Sequence, residues 1–184
     1  MMDREIGIPG PLRLLHGETS TVFDLLLVYA VGAAAGVLAL VFAQSRVAGM
    51  EWWKALLLFA VAVDICGGAV ACFTSGTARY YESRPRLRWA FIVGHILEPG
   101  LLFVLFGGRF AYWAFLYVFT AAAASLVNIV EDGHRRVVLA AGLVALGIMV
   151  LLPVGLATPY LVWFGPVYMI KLILAFAARP TGSH

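Results

Sequence analysis

Six apolar runs, each about as long as a helix must be to cross a bilayer, take up most of this 184-residue chain. Backbone N–H and C=O groups in hydrocarbon must be satisfied within their own segment, so runs of this kind fold as helices and pack as a bundle. Composition agrees. Charged residues make up 12% of the chain and hydrophobic ones 62%, with a mean hydropathy of +0.94, whereas soluble domains carry about 25% charged residues. The expected fold class is an all-α membrane protein with six transmembrane helices, at about residues 22–43, 52–73, 89–106, 110–130, 137–157 and 160–178. The connections are too short to hold a soluble domain, so the chain reads as one transmembrane domain. Residues 1–20 scatter charges, Pro9 and Pro11 among Ile6, Ile8, Leu12, Leu14 and Leu15, which suggests a short interfacial arm. No basic stretch precedes a short apolar core near the N-terminus, so no leader is expected to be removed.

Six spans place both termini on one side, and the basic residues choose the side. Nine arginines (4, 13, 79, 84, 86, 88, 135, 136 and 179) fall at one end, against Arg46, Lys54 and Arg109 at the other. Both termini and the arginine-rich connection between the second and third runs are therefore expected in the cytoplasm, with the protein in a cell membrane, the inner one in a bacterium. The net charge of +3 is spread over these short connections, so it reports topology and gives no support to nucleic-acid binding. Gly32 and Gly36 put small residues four apart on the first run, a face against which another helix, including one from a second copy, packs closely. Cys66 and Cys72 lie six apart in one apolar run, which is neither a redox pair nor a metal spacing.

The third run carries the chemistry. His95 and Glu98 lie three residues apart on one helix face, and Pro99 frees a backbone carbonyl about one turn earlier, beside them. Ionisable groups at this depth cost roughly 2.5 to 3.5 kcal/mol each on insertion scales, so they face a protein interior or a wet cavity. By helix rise, Asp64, Glu98 and Lys171 share a mid-membrane level, where Lys171 neutralises one carboxylate and leaves the other to exchange a proton. The bland alternative has Lys171 snorkelling to the interface and His95 serving as an ordinary buried imidazole. Small or polar stripes, Asp64-Gly68-Ala71-Ser75 and Thr120-Ala124-Asn128, lead from this level toward the arginine-rich end.

Asp64, His95 and Glu98 are thus the expected catalytic residues. Lys171, Asn128, Thr74, Trp89, Trp113, Tyr117, Trp163 and Tyr168 are the expected ligand-binding residues, the aromatic ones as apolar walls. His95-x-x-Glu98 and Glu131-x-x-His134 resemble di-iron spacing only superficially, because the second pair sits in a loop and further carboxylates are missing. No metal and no cofactor is expected. Ser75, Ser83 and Ser125 lack acid and imidazole partners for a nucleophilic triad, and six spans argue against a retinal-type Schiff base on Lys171. The polar residues favour one half of the membrane. That asymmetry suits an enzyme acting by acid/base chemistry on a lipophilic molecule, such as an isomerase, cyclase or hydratase. The alternative is a small proton-coupled transporter or channel. The expected partners are membrane lipid and a hydrophobic small molecule.

Overall fold

The computed structural model describes residues 4–44, 49–154 and 159–179. Within them lie six apolar helices long enough to cross a membrane: Val22–Ala43, Trp52–Cys72, Pro85–Phe106, Phe110–Ile129, Gly133–Pro153 and Pro159–Ala177. These are the six spans that the apolar runs predict. The third begins at Pro85 and the fifth at Gly133, each earlier than expected, because stretches that resemble loop continue the helix, with Arg88 and Arg136 turned inward. Residues 45–48 of the expected connection between the first two spans, and the expected end of the fifth span at 155–157, lie outside the described residues.

The first span starts where its sequence says it should. Thr21 Oγ1 accepts from the Asp24 N–H at 3.0 Å, and the Asp24 carboxylate lies in the first turn, where the helix dipole favours it. Gly32 and Gly36 face the second span of the same chain. A Cβ on Gly32 would lie 3.2 Å from Val63 O, and one on Gly36 only 2.5 Å from the Phe59 ring. The backbones therefore approach as the small-residue spacing allows.

The N-terminal arm is a folded strap. Strand β1 (Glu5–Gly7) pairs antiparallel with β2 (Thr19–Thr21), and a helical turn at Arg13–His16 lies between them. The strap is fastened to a short helix, Ser75–Glu82, that connects the second and third spans. Thr77 Oγ1 donates to Leu15 O at 2.7 Å, and Tyr81 Oη donates to Leu14 O at 2.9 Å. Gly17, with φ +76°, meets Gly76 so closely that a Cβ on either residue would lie 2.1 Å from a carbonyl oxygen of the facing segment. Only glycine fits at either position. The pairs Arg79–Glu5 at 3.3 Å and Arg84–Glu18 at 2.7 Å are exposed, so each contributes at most about 1 kcal/mol.

His16, in the strap itself, is fully buried against the first span, with Nε2 2.9 Å from Tyr29 Oη, and burial holds its pKa below the ordinary value of about 6.5. The unfolded strap then binds more protons than the folded one in the interval below pH ~6.5, so its anchorage weakens as pH falls through that interval toward the folded value. Amide protection factors over residues 5–21, exchange rates taken relative to the unfolded chain at the same pH, should fall below about pH 6.5. In a His16→Gln variant that pH dependence should vanish; an unchanged profile would show that another group governs it.

At the strap end of the bundle two arginines close helix termini. Arg88 Nη2 donates to Phe176 O at 3.1 Å and to Ala177 O at 3.0 Å, while its Nε donates to Asn128 Oδ1. Arg136 donates from Nε to Val130 O and from Nη1 to Arg179 O, both at 2.8 Å. Both residues are buried, and both satisfy carbonyls that helix ends leave without partners.

Candidate functional site

Three spans lose their regular α-helical form around the candidate site. The second widens into a π-type turn at Val63–Gly67, and the sixth does so over Ile170–Ala177. In the third, one helix ends at Gly94 and the next starts at Leu97. Wide turns of this kind concentrate at functional positions because they re-aim side chains and loosen backbone carbonyls. Asp64 and Lys171 stand on the two π-type turns, and His95 stands at the break.

Pro99 cannot donate to the carbonyl one turn before it, and that carbonyl belongs to His95. Tyr168 Oη donates to it at 2.7 Å, which ties the sixth span to the break in the third. His95 Nδ1 is 2.6 Å from Phe91 O. A carbonyl only accepts, so Nδ1 carries the hydrogen and Nε2 is left facing Glu98, whose Oε1 lies 3.8 Å away. Glu98 Oε2 is buried with no hydrogen-bond partner among the described residues. One further proton on this His95–Glu98 pair makes it neutral overall, whether imidazole faces carboxylic acid or imidazolium faces carboxylate.

Lys171 does not snorkel. Its side chain is 2% exposed, and Nζ donates to Asp64 Oδ2 at 2.8 Å and to Asp64 O at 3.3 Å. Gly68 makes the slot, since a Cβ there would lie 2.8 Å from Lys171 Cε and 2.9 Å from Nζ. The small position in the Asp64-Gly68-Ala71-Ser75 stripe therefore houses the lysine stem. One ligand-type atom from each of Asp64, His95 and Glu98 lies within 4.8 Å of the others. Two carboxylates and an imidazole at that spacing match the donor chemistry of a divalent cation. Here the Lys171 ammonium already neutralises Asp64 from within the bundle.

These groups form the floor of a cavity of about 370 Å³ between the second, third and sixth spans, roofed by the strap. Its walls are mostly apolar: Leu14 and Leu15 from the strap, Cys72, Tyr81, Leu87, Ala90 and Phe91. On the far side from the strap, the spans fill with fully buried Leu58, Ile65, Leu102, Leu161 and Phe164. A cavity of this size with a few convergent polar groups is the usual form of a small-molecule site.

Of the residues expected to bind a ligand, Lys171 lines this cavity. The others lie elsewhere. Tyr168 holds the His95 carbonyl, Asn128 accepts from Arg88, and Thr74 caps the Ser75–Glu82 helix by accepting from Thr77 N at 3.4 Å. Trp113 donates to Gly107 O at 3.0 Å and Tyr117 to Val93 O at 3.2 Å, while Trp163 packs on Phe164 and Trp89 is exposed. Thr120 and Ala124 of the second stripe are fully buried in the packing of the fourth span. Phe91, one of the aromatic residues that could line such a pocket by sequence, does form a wall, whereas the sequence pattern does not single out the strap leucines, Tyr81 or Leu87. Its one signal for them is proximity: Leu87 lies two helical turns before His95.

Comparison with protein-family models, with curated proteins and with solved structures finds no match to this chain. Fold and composition define the class, a multi-pass membrane protein with six spans.

Proposed function

We propose that the protein is an intramembrane enzyme, isomerase, cyclase or hydratase in type, that performs acid/base chemistry on a lipophilic molecule. The observation that carries this is the convergence of Asp64, His95 and Glu98 within 4.8 Å on the floor of an otherwise apolar cavity. Glu98 and His95 exchange the proton, and His95 Nε2 is held in place by the bond from Nδ1 to Phe91 O. Lys171 fixes Asp64 and supplies positive charge beside any oxygen that becomes negative during reaction.

The test works on a mixture of lipids and needs no single substrate in hand. Acid/base chemistry at carbon exchanges hydrogen with solvent, so the protein is reconstituted with a lipid extract of its own membranes in deuterated water. Lipids of increased mass should appear with the wild-type protein and not with Glu98→Gln. Equal deuterium uptake by both would remove Glu98 from the chemistry.

Proton-coupled transport is the second reading, and the irregular turns in three helices at one depth favour it, since transporters place ion sites at broken helices. A pH-driven flux in liposomes without any deuterated product would select it.

The strap end is assigned to the cytoplasm of a cell membrane on the arginine count. Ser83→Cys and Phe110→Cys, each in a background lacking Cys66 and Cys72, place thiols at the two ends; Phe110 is 70% exposed and lies just beyond Gly107 and Gly108, whose positive φ tolerates no side chain well. An impermeant thiol reagent applied to intact cells should label the Phe110 variant alone. Labelling at Ser83 would invert the orientation.

A further inference from the structure

A second cavity, of about 450 Å³, lies between the first and second spans. Leu56, Phe59, Ala60 and Val63 line it along the second span, with Val28 and Tyr29 opposite. It is almost wholly apolar, and Leu56 and Ala60 are exposed on the bundle surface, where a spanning helix meets hydrocarbon. Leu15, Asp64 and Gly68 border this groove and also the catalytic cavity, so the two meet at Asp64. The Asp64 side chain is 48% exposed although it lies mid-span. A half-exposed carboxylate at that depth is tolerable where something other than bare hydrocarbon adjoins it. From Asp64 back to Leu56 the groove follows eight residues of helix, about 12 Å.

We infer that the site takes an amphiphile with a hydrocarbon chain and a small uncharged polar end, admitted sideways from the bilayer, with the chain along Leu56, Phe59 and Val63 and the polar end at Asp64 and Lys171. This rests on the acid/base reading only for what happens to the polar end. The chain follows from the apolar walls. The absence of charge on the head follows from the ion pair, because Lys171 and Asp64 already neutralise one another at 2.8 Å and an ionic head would be desolvated with nothing left to balance it. A hydroxyl or carbonyl needs no such balance and accepts from the Lys171 ammonium. The space over Gly68 takes the Lys171 stem, which brings the ammonium to the border that the groove shares with the cavity, while Gly67 packs against the first span, where a Cβ would lie 3.1 Å from Val28 O.

The probes are two long-chain alcohols bearing a photoactivatable diazirine, one at the chain terminus and one beside the hydroxyl, in phosphatidylcholine proteoliposomes of the full protein. Irradiation and peptide mapping should put the terminal probe on Leu56–Val63 and the hydroxyl-side probe on Leu87–His95. Excess unlabelled alcohol should reduce both by several-fold. Ala60→Trp fills the groove at an exposed position and should reduce terminal labelling several-fold, while Val104→Trp, on a lipid-facing surface elsewhere, should leave it unchanged. Labelling of residues 56–63 that unlabelled alcohol does not displace would overturn the groove as a site, and this measurement holds even where Ala60→Trp fails to fold. Labelling is read without turnover: Glu98-dependent deuterium uptake with no saturable groove adducts sinks the route and leaves the catalytic reading standing. Saturable groove adducts without deuterium uptake do the reverse.

Discussion

Asp64→Ala is expected to cost about 3–5 kcal/mol of stability, and Lys171→Met distinctly less, although the two residues form one ion pair. The difference lies in where each partner sits. Lys171 is 2% exposed and threads its stem over Gly68, so removing Asp64 strands an ammonium inside the bundle whose remaining hydrogen bond among the described residues is to the residue-64 main-chain oxygen, at 3.3 Å. Asp64 is 48% exposed, so removing Lys171 leaves a carboxylate that the cavity can hydrate. Methionine also refills much of the lysine volume. The double variant, with neither charge, should recover most of the loss seen in Asp64→Ala, because breaking a buried pair costs more than replacing it whole. Thermal unfolding in detergent and in lipid measures all three. Equal losses for the two single changes, with no recovery in the double, would mean that the pair is not coupled in the membrane.

The same residues show what the sequence makes legible and what it hides. Depth is legible because helix rise converts residue number into height, which puts Asp64, Glu98 and Lys171 on one level. Proline chemistry is legible too, since the missing N–H of Pro99 marks the carbonyl that Tyr168 holds. Hidden are the contacts that depend on which way a side chain turns. Arg88 and Arg136 count as loop charges in the sequence, yet both lie in helices and cap carbonyls of neighbouring segments; hydropathy registers their charge and not its direction. The strap is hidden for another reason. Strands of three residues have almost no period, and their pairing is set by the close meeting of Gly17 with Gly76, some sixty residues apart in sequence. Without the strap there is no cavity roof, and aromatic content alone points to walls that include Trp113, Tyr117 and Trp163, while it passes over Leu14 and Leu15.

Glu98→Gln should lower the solvent-deuterium incorporation by about 10²- to 10⁴-fold, the usual contribution of a positioned acid or base, while the unfolding midpoint stays level or rises. Both halves follow from the surroundings of this carboxyl. It is partly buried, its Oε2 has no hydrogen-bond partner among the described residues, and its Oε1 stands 3.8 Å from His95 Nε2 without a tight bond. The fold therefore gains little from its charge, and an amide of the same shape gives up only the ability to carry a proton. Asp64→Asn should also abolish turnover, but with a measurable loss of stability, because Lys171 keeps an acceptor and loses its counter-charge. In both variants the long-chain alcohol should still label the groove at Leu56–Val63, since the apolar walls are untouched. A carrier would give the opposite pattern. There, Glu98→Gln would uncouple flux from the pH gradient in liposomes, visible as loss of pH-driven uptake, with no deuterated lipid formed by wild type or variant.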